Sequence, residues 1–503
     1  MKMTKIALAL ATLVAAPSAF ALTPAQVDGT TARLWLSGAS APTASVYKGA
    51  LTLCAGMQYK DALGVSHTNP GTRDAHLYLE SASAGKLPGG AGDRMAYTCT
   101  VDTDDDRAGS LENQKVVVFH TVEGGSFNYV TPHISIFGEV NPNLPGNLKR
   151  TANIESLSAT GKCAAGAAEN VSVDLSGLPN TVGVYRGCST TTVNFTAGQA
   201  LRADVYQAPD RPEGGFSDTE YMINKLNLDV TTELGDIGSE VPTNIGQAFG
   251  VAVSYPLYAQ LQKNDGIITT TAADGEACDG VYAAGPCQPN LPSQRYTSIA
   301  NKDNIGGVDG SLFGGAAGTK VNLARRAITS GTQSASNLRF LNKPCAIGVA
   351  GGALNPARAA DSTATVVVTE SSSTGGVKTV LTTATNAGEF GLGVVSMENV
   401  PSGSGTDGKF AFVKLNGTSP NSDAKQRANA MDGSYDMWYE LVAFTAYTAF
   451  QEGIDLIAAT NTSLGNPGIT DLTGLFITPA AGVTGSNVGK GYRSGNSCQP
   501  AFQ

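Results

Sequence analysis

The sequence predicts an α/β fold built on parallel sheets. Three observations carry that prediction. Apolar runs with the character of buried strands recur along the chain, as in residues 115–120 (KVVVFH), 249–254 (FGVAVS) and 391–396 (GLGVVS). Small polar loops of glycine and hydroxyl residues follow several strand patterns. Helical patterns begin at some of those loops, and strands that alternate with helices favour parallel pairing, because a parallel crossover needs a connection of that length.

Residues 31–36 (TARLWL) alternate as a short strand and run into a small-residue turn at 37–43. Residues 44–54 (ASVYKGALTLC) read as a helix that starts at that turn. The stretch 55–110 is polar and rich in Gly and Asp, and reads as an irregular insertion. After the strand at 115–120 comes a loop at Gly124-Gly125-Ser126. Residues 140–200 are rich in Gly and Thr and read as a second insertion. A strand is expected at 201–206, followed by a loop at 214–218 (GGFSD). A strand at 249–254 precedes a helix that starts near Tyr258, and residues 265–312 form a third polar insertion. The strand at 321–327 leads into Thr329-Ser330-Gly331-Thr332, where a helix begins. Strands are expected at 364–369, 377–383, 391–396 and 410–415. The most apolar stretch of the body, 435–451, reads as a buried strand passing into a helix.

The chain opens with a secretory leader. Lys2 and Lys5 precede an apolar run from Ile6 to Ala16, Pro17 breaks it, and Ser18 to Ala21 ends in a small-x-small pattern. Cleavage is expected after Ala21, and the run is too short to span a bilayer. No cysteine follows the cut to carry a lipid anchor. The address this implies is the periplasm or the exterior, with no membrane insertion. Charged residues make up 15% of the chain, Gly numbers 60, and the net charge is −9. There is no basic tract, so nucleic acid is not an expected partner.

Eight cysteines lie beyond the leader, an even number in an oxidising compartment, so disulfides are the default. Local pairing suggests Cys278–Cys287 and Cys163–Cys188, then Cys54–Cys99 and Cys345–Cys498. Eight cysteines allow about 105 connectivities, and spacing singles out only the first pair. No C-x-x-C occurs and no histidine lies near them, so neither a metal nor a cofactor is expected.

Four loops of one kind recur, at 37–43, 124–126, 214–218 and 329–332. A glycine- and serine-rich loop at a helix N-terminus exposes backbone N–H donors and about half a positive charge, which suits an anion. Arg326, just ahead of Ser330-Gly331-Thr332, adds a planar, permanently charged fork.

Residues 325–332 (RRAITSGT) resemble the Arg-Ala-Asp-Gly-Ser-Gly-Thr loop of phosphate-binding periplasmic proteins, the substrate-binding components of phosphate ABC transporters. Residues 37–42 (SGASAP) look like that family's first phosphate loop, Gly125-Ser126 like its second, and Phe216-Ser217-Asp218 like its Ser-Asp loop. The resemblance implies a type II periplasmic-binding-protein-like fold of two α/β lobes, here enlarged by disulfide-bearing insertions. One lobe would comprise 22–247 and 390–503, the other 248–389. It implies a small oxyanion, phosphate or similar, in the interlobe cleft, and a membrane transporter permease as partner. Arg326 would pair with the anion. Ser330, Gly331 and Thr332 would donate from one side, Ser40, Pro42, Thr43 and Ser126 would line the other, and Asp218 would accept a proton from the oxyanion. Ile328 departs from the pattern by replacing the acidic residue beside the arginine, and Thr329 replaces a glycine.

Other readings have less support. The same fold could serve as a secreted interaction protein with a degenerate cleft, which Ile328, Pro42 and the insertions favour. A hydrolase would need a histidine beside a nucleophile, and of His67, His76, His120 and His133 only His120 has a candidate, Ser126, nearby in sequence. No G-x-S-x-G or H-E-x-x-H motif accompanies them, so no enzymatic activity is expected. The acidic run 102–106 lacks the glycine and distal glutamate of a calcium loop. Trp438, Tyr435 and Tyr439 sit in an apolar stretch and read as core.

Overall fold

Residues 115–121 show how the chain builds its sheet. In the computed structural model this strand is buried from Val116 to Thr121, the pattern of a strand covered on both faces. The structure describes residues 26–501 apart from 82–87, 89–93, 104–105, 153, 155–162, 164–167, 270–276, 350–351 and 481. The leader, its cleavage point and part of the acidic run 102–106 lie outside the described residues.

Twelve strands form the continuous path of one mixed sheet. They are β1 (Ala32–Gly38), β2 (His76–Leu79), β3 (Arg94–Thr100), β4 (Lys115–Thr121), β5 (Glu169–Leu175) and β6 (Leu178–Arg186), followed by β7 (Gly214–Ser217), β8 (Gly238–Val253), β9 (Val321–Arg326), β10 (Val366–Ser371), β11 (Phe390–Ser396) and β12 (Trp438–Ala446). Their order across the sheet is β10-β9-β11-β8-β12-β7-β1-β4-β3-β2-β6-β5. Five helices matter for the site: α1 (Thr43–Leu51), α2 (Tyr221–Leu228), α3 (Gly331–Leu341), α4 (Thr374–Ala387) and α5 (Gln451–Leu464).

The sheet is parallel where the four sequence-marked loops arise. β1 runs parallel to β7 and β4, and β9 runs parallel to β10 and β11. Its middle is antiparallel. The 16-residue β8 pairs with β12 from Gly238↔Ala446 to Ala248↔Trp438, then with β11 through Phe249–Val253. One hydrophobic core gathers around Leu34, Val118 and Leu441, and another around Val251, Leu323 and Leu392. β8 contributes Ile245 to the first and Val251 to the second.

The structure corrects several sequence expectations. The sheet is mixed, because β8, β12 and the β2–β6 region bring in antiparallel neighbours. The stretches 55–110 and 140–200 are not mere loop insertions, since β2, β3, β5 and β6 lie in the main sheet. Residues 265–312 include a helix, Ser293–Ala300. Residues 201–206 are irregular, and the strand lies at β7, where a loop was expected. Residues 377–383 are helical within α4: Ser373 Oγ caps it by accepting from the Gly376 N–H at 3.1 Å, and Val377, Leu381 and Ala384 form its buried face.

Four disulfides join Cys54–Cys99, Cys163–Cys188, Cys278–Cys287 and Cys345–Cys498, the pairs that proximity in sequence suggests. No helix among the described residues is long and apolar enough to cross a membrane.

Candidate functional site

The loops after β4, β7 and β9 converge. β7 lies beside β1, which also pairs with β4, so the ends of these strands emerge together. Asp218 directly follows β7, and Ser126 opens a short 3-10 turn after β4. The Ser126 hydroxyl donates to Asp218 Oδ2 at 2.8 Å and accepts from the Gly331 N–H at 3.1 Å. Gly331 begins α3, which follows β9. A Cβ there would stand 2.7 Å from the Asp218 Cβ and 2.8 Å from Ser126 Oγ, so the close approach requires glycine. The loops are further joined by the Phe127 N–H to the Thr329 carbonyl at 3.0 Å and by the Thr329 hydroxyl to the Gly124 carbonyl.

Arg326 ends β9 and is 5% exposed. Its Nη1 donates to Thr374 Oγ1 at 2.7 Å and its Nη2 to the Ser372 carbonyl at 3.1 Å. No carboxylate among the described residues lies within ion-pair distance of it. Burial lowers its pKa to about 10, while Asp218 and Glu398 pull the other way, so it stays charged at neutral pH. Burial pushes the Asp218 carboxyl up, opposed by the Ser126 hydrogen bond and by Arg326. Glu398 is likewise raised by burial and accepts from Ser396 Oγ at 2.7 Å.

The expected orienting partner of Arg326, missing at Ile328, is supplied by the start of α4. Sequence reasoning missed that segment, Ser371-Ser372-Ser373-Thr374-Gly375-Gly376. The signal was present, as it repeats the same strand, hydroxyl-rich loop and helix order. Reading 377–383 as a strand concealed it.

The remaining sequence-predicted residues are placed as follows. Ser330 is the buried N-cap residue of α3, and Thr332 is buried in its first turn. Ser40, Pro42 and Thr43 lie at the start of α1. Thr43 Oγ1 turns back to the Ser40 carbonyl at 2.7 Å. Among the described residues no hydrogen bond joins Ser40, Pro42 or Thr43 to Asp218, Arg326 or Gly331. His120 sits within β4 and is buried, with its pKa lowered to about 4, and no hydrogen bond links it to Ser126.

A seam between α2 and α3 closes the far side of this polar centre. Ser334 Oγ donates to Asn224 Oδ1 and Asn337 Nδ2 to Asn227 Oδ1, both at 2.9 Å and both buried. Gln333 extends the chain of bonds, donating to Asn337 Oδ1 at 2.9 Å and accepting the Arg326 N–H at 3.1 Å.

An open cleft of about 530 Å³ begins at Arg326. It is also lined by Thr329, Ser372 and Ser373, by Glu123, Gly124 and Asn128, and by the segment 142–149. The cleft therefore joins a buried cation and a helix N-terminus to an open volume.

Two solved structures are similar to the chain in part. One, from Clostridium perfringens with bound phosphate, is described as a phosphate ABC transporter substrate-binding protein. It is 14% identical, with a TM-score of 0.27, over 48% of this chain and 78% of that one. The other, from Planctomyces limnophilus, is described as a phosphate-binding protein. It is 12% identical, with a TM-score of 0.24, over 44% of this chain and 67% of that one. No protein-family model matches the chain, and no curated protein matches it.

Proposed function

We propose that the chain is an extracytoplasmic solute-binding protein that takes a small oxyanion, phosphate or a close analogue, against Arg326. The observation that carries this reading is the state of that arginine. It is buried, charged, hydrogen-bonded among the described residues to neutral groups only, and placed on the lining of an open cleft beside the cap of α4. A buried guanidinium without a contacting carboxylate gains most from an anion that completes its fork. The two lobes would be 22–247 with 390–503, and 248–389, with a transporter permease receiving the ligand. The leader pattern and the four disulfides support export. We read the role as binding rather than turnover: the hydroxyl–carboxylate pair at the site, Ser126 and Asp218, is engaged by the Gly331 N–H and holds the loops together.

Titration calorimetry of the chain from residue 22 against phosphate, arsenate and sulfate tests the reading. Heat with at least one oxyanion, lost in Arg326→Ala, is the expected result. Absence of binding by all three would remove the ligand claim.

One observation favours a second reading, a secreted interaction protein with a degenerate cleft. The Ser126 hydroxyl already takes the Gly331 N–H and engages Asp218, three groups the resemblance assigns to the anion. Under that reading no oxyanion binds and Arg326→Ala changes stability only.

A further inference from the structure

The cleft is far larger than a single oxyanion needs. A tetrahedral ion has five heavy atoms and fills about twice the ~30 Å³ share of one water in the liquid. The volume of about 530 Å³ lies instead in the ~300–1,000 Å³ range of clefts that hold organic ligands. What lines the extra space indicates what fills it.

Much of the remaining lining comes from the segment 142–149. It offers carbon from Pro142, Leu144 and Pro145, and side-chain amides from Asn143 and Asn147. Lys149 belongs to the same segment, is exposed, and has no carboxylate within ion-pair distance among the described residues. No aromatic ring lines the cleft among the described residues. That argues against a nucleobase or another flat ring, which would be gripped by stacking. Short aliphatic surface interleaved with amides and an ammonium suits a hydroxylated aliphatic group: the amides both donate and accept, the ammonium donates, and the prolines pack against C–H.

We propose that the ligand is a phosphate monoester of a short polyol or sugar. Its phosphoryl end would sit at Arg326 and Ser373, and its hydroxylated body along Pro142–Lys149. This rests on the oxyanion reading above and narrows it. The segment 142–149 is the part of the site that the sequence presented as an insertion.

Calorimetry of the oxidised chain with inorganic phosphate, methyl phosphate and glucose 6-phosphate tests the inference. Glucose 6-phosphate should bind at least about tenfold tighter than either of the others. Equal or weaker binding of the sugar ester would overturn the assignment while leaving the oxyanion reading intact. Failure of all three to bind would overturn both. In Lys149→Met, whose exposed position makes misfolding easy to exclude by thermal melting, the preference for glucose 6-phosphate over methyl phosphate should fall below about threefold. A tenfold preference that persists in this variant would overturn the role given to the segment 142–149.

Discussion

Ser126 and Asp218 are bonded at 2.8 Å across the ends of two strands, and the same serine oxygen accepts the first N–H of α3. One hydroxyl thus joins three chain segments far apart in sequence. Among the described residues Asp218 Oδ1 has no hydrogen-bond partner, and Ser126 is the one donor to its carboxyl. Ser126→Ala would leave a buried carboxyl without a donor and free a buried N–H. Stability should fall by about 1–3 kcal/mol, the cost of stranding such groups. Denaturant unfolding measures it, and a change below about 0.5 kcal/mol would show that the contact does not persist.

Arg326 separates charge from geometry. Arg326→Lys keeps the charge but cannot reach both Thr374 Oγ1 and the Ser372 carbonyl with a fixed fork. Oxyanion affinity should drop at least about tenfold, and Arg326→Ala should abolish it. Thr374→Val removes one orienting partner and retains the cation, so its loss should be smaller, a few-fold. A Lys variant equal to the native chain would mean that only net charge matters.

These residues also show what was legible in the sequence. β4, β11, β12 and the Phe249–Val253 end of β8 announce themselves as apolar runs, because strands covered on both faces must be apolar throughout. β7 does not. Its sequence, GGFS, has the composition of a turn, yet a Cβ on Gly215 would fall 1.7 Å from the Ser37 carbonyl oxygen, so the glycine is there to let β1 approach. β3 was hidden inside a stretch whose overall composition is polar. The start of α4 was obscured by Val377, Thr379, Val380 and Thr382, whose β-branched side chains favour strands until Ser373 caps the segment as a helix. Ser126 and Arg326 stood out because a hydroxyl-rich loop and a charge follow or end recognisable strands; Asp218 was marked only by the family resemblance, since the strand expected ahead of it, 201–206, is irregular. Lys149 and Leu144 were not, since nothing local ties them to a cleft completed by β9.

The last described residues act as a strap. Glu440 accepts the N–H groups of Arg493 and Gly495 at 2.7 and 2.6 Å, and Glu220 accepts from Ser497 N and Oγ at 2.6 and 2.5 Å. Cys498 then bonds to Cys345, beyond the end of α3, across 153 residues of sequence. The strap thus runs from β12 past the start of α2 to the far end of α3, spanning the seam they share. Cys345→Ser with Cys498→Ser should cost about 2–5 kcal/mol, as long closed loops do. Amide exchange at 493–498 should accelerate more than tenfold by mass spectrometry. Unchanged exchange would mean that the two glutamates suffice to hold the strap.

Glu240 gives a pH signature. Its carboxyl accepts from the Tyr129 hydroxyl and from the Tyr221 N–H at 3.0 and 3.1 Å, with no cation in contact among the described residues. Burial raises its pKa from 4.5 to about 7. The folded chain therefore keeps a proton that the unfolded chain releases, and between about pH 4.5 and 7 the folded state binds more protons. The contribution of this group to stability is full below about 4.5, declines as pH rises, and is lost above about 7, by on the order of 3 kcal/mol. His120 pulls the opposite way: its pKa is lowered to about 4, so its contribution is lost as pH falls below about 6.5. The native pH profile mixes these with other buried groups, such as Glu213, raised by burial to about 7, and the difference between variants isolates Glu240. Glu240→Gln keeps an acceptor for Tyr129 and Tyr221 and cannot ionise. Its melting temperature relative to the native chain should rise steadily from pH 4.5 to 7 by roughly 2–5 °C, then level off. A difference that stays flat across that interval would show that Glu240 ionises freely in the folded chain, and that its carboxyl is open to water rather than enclosed between Tyr129 and Tyr221.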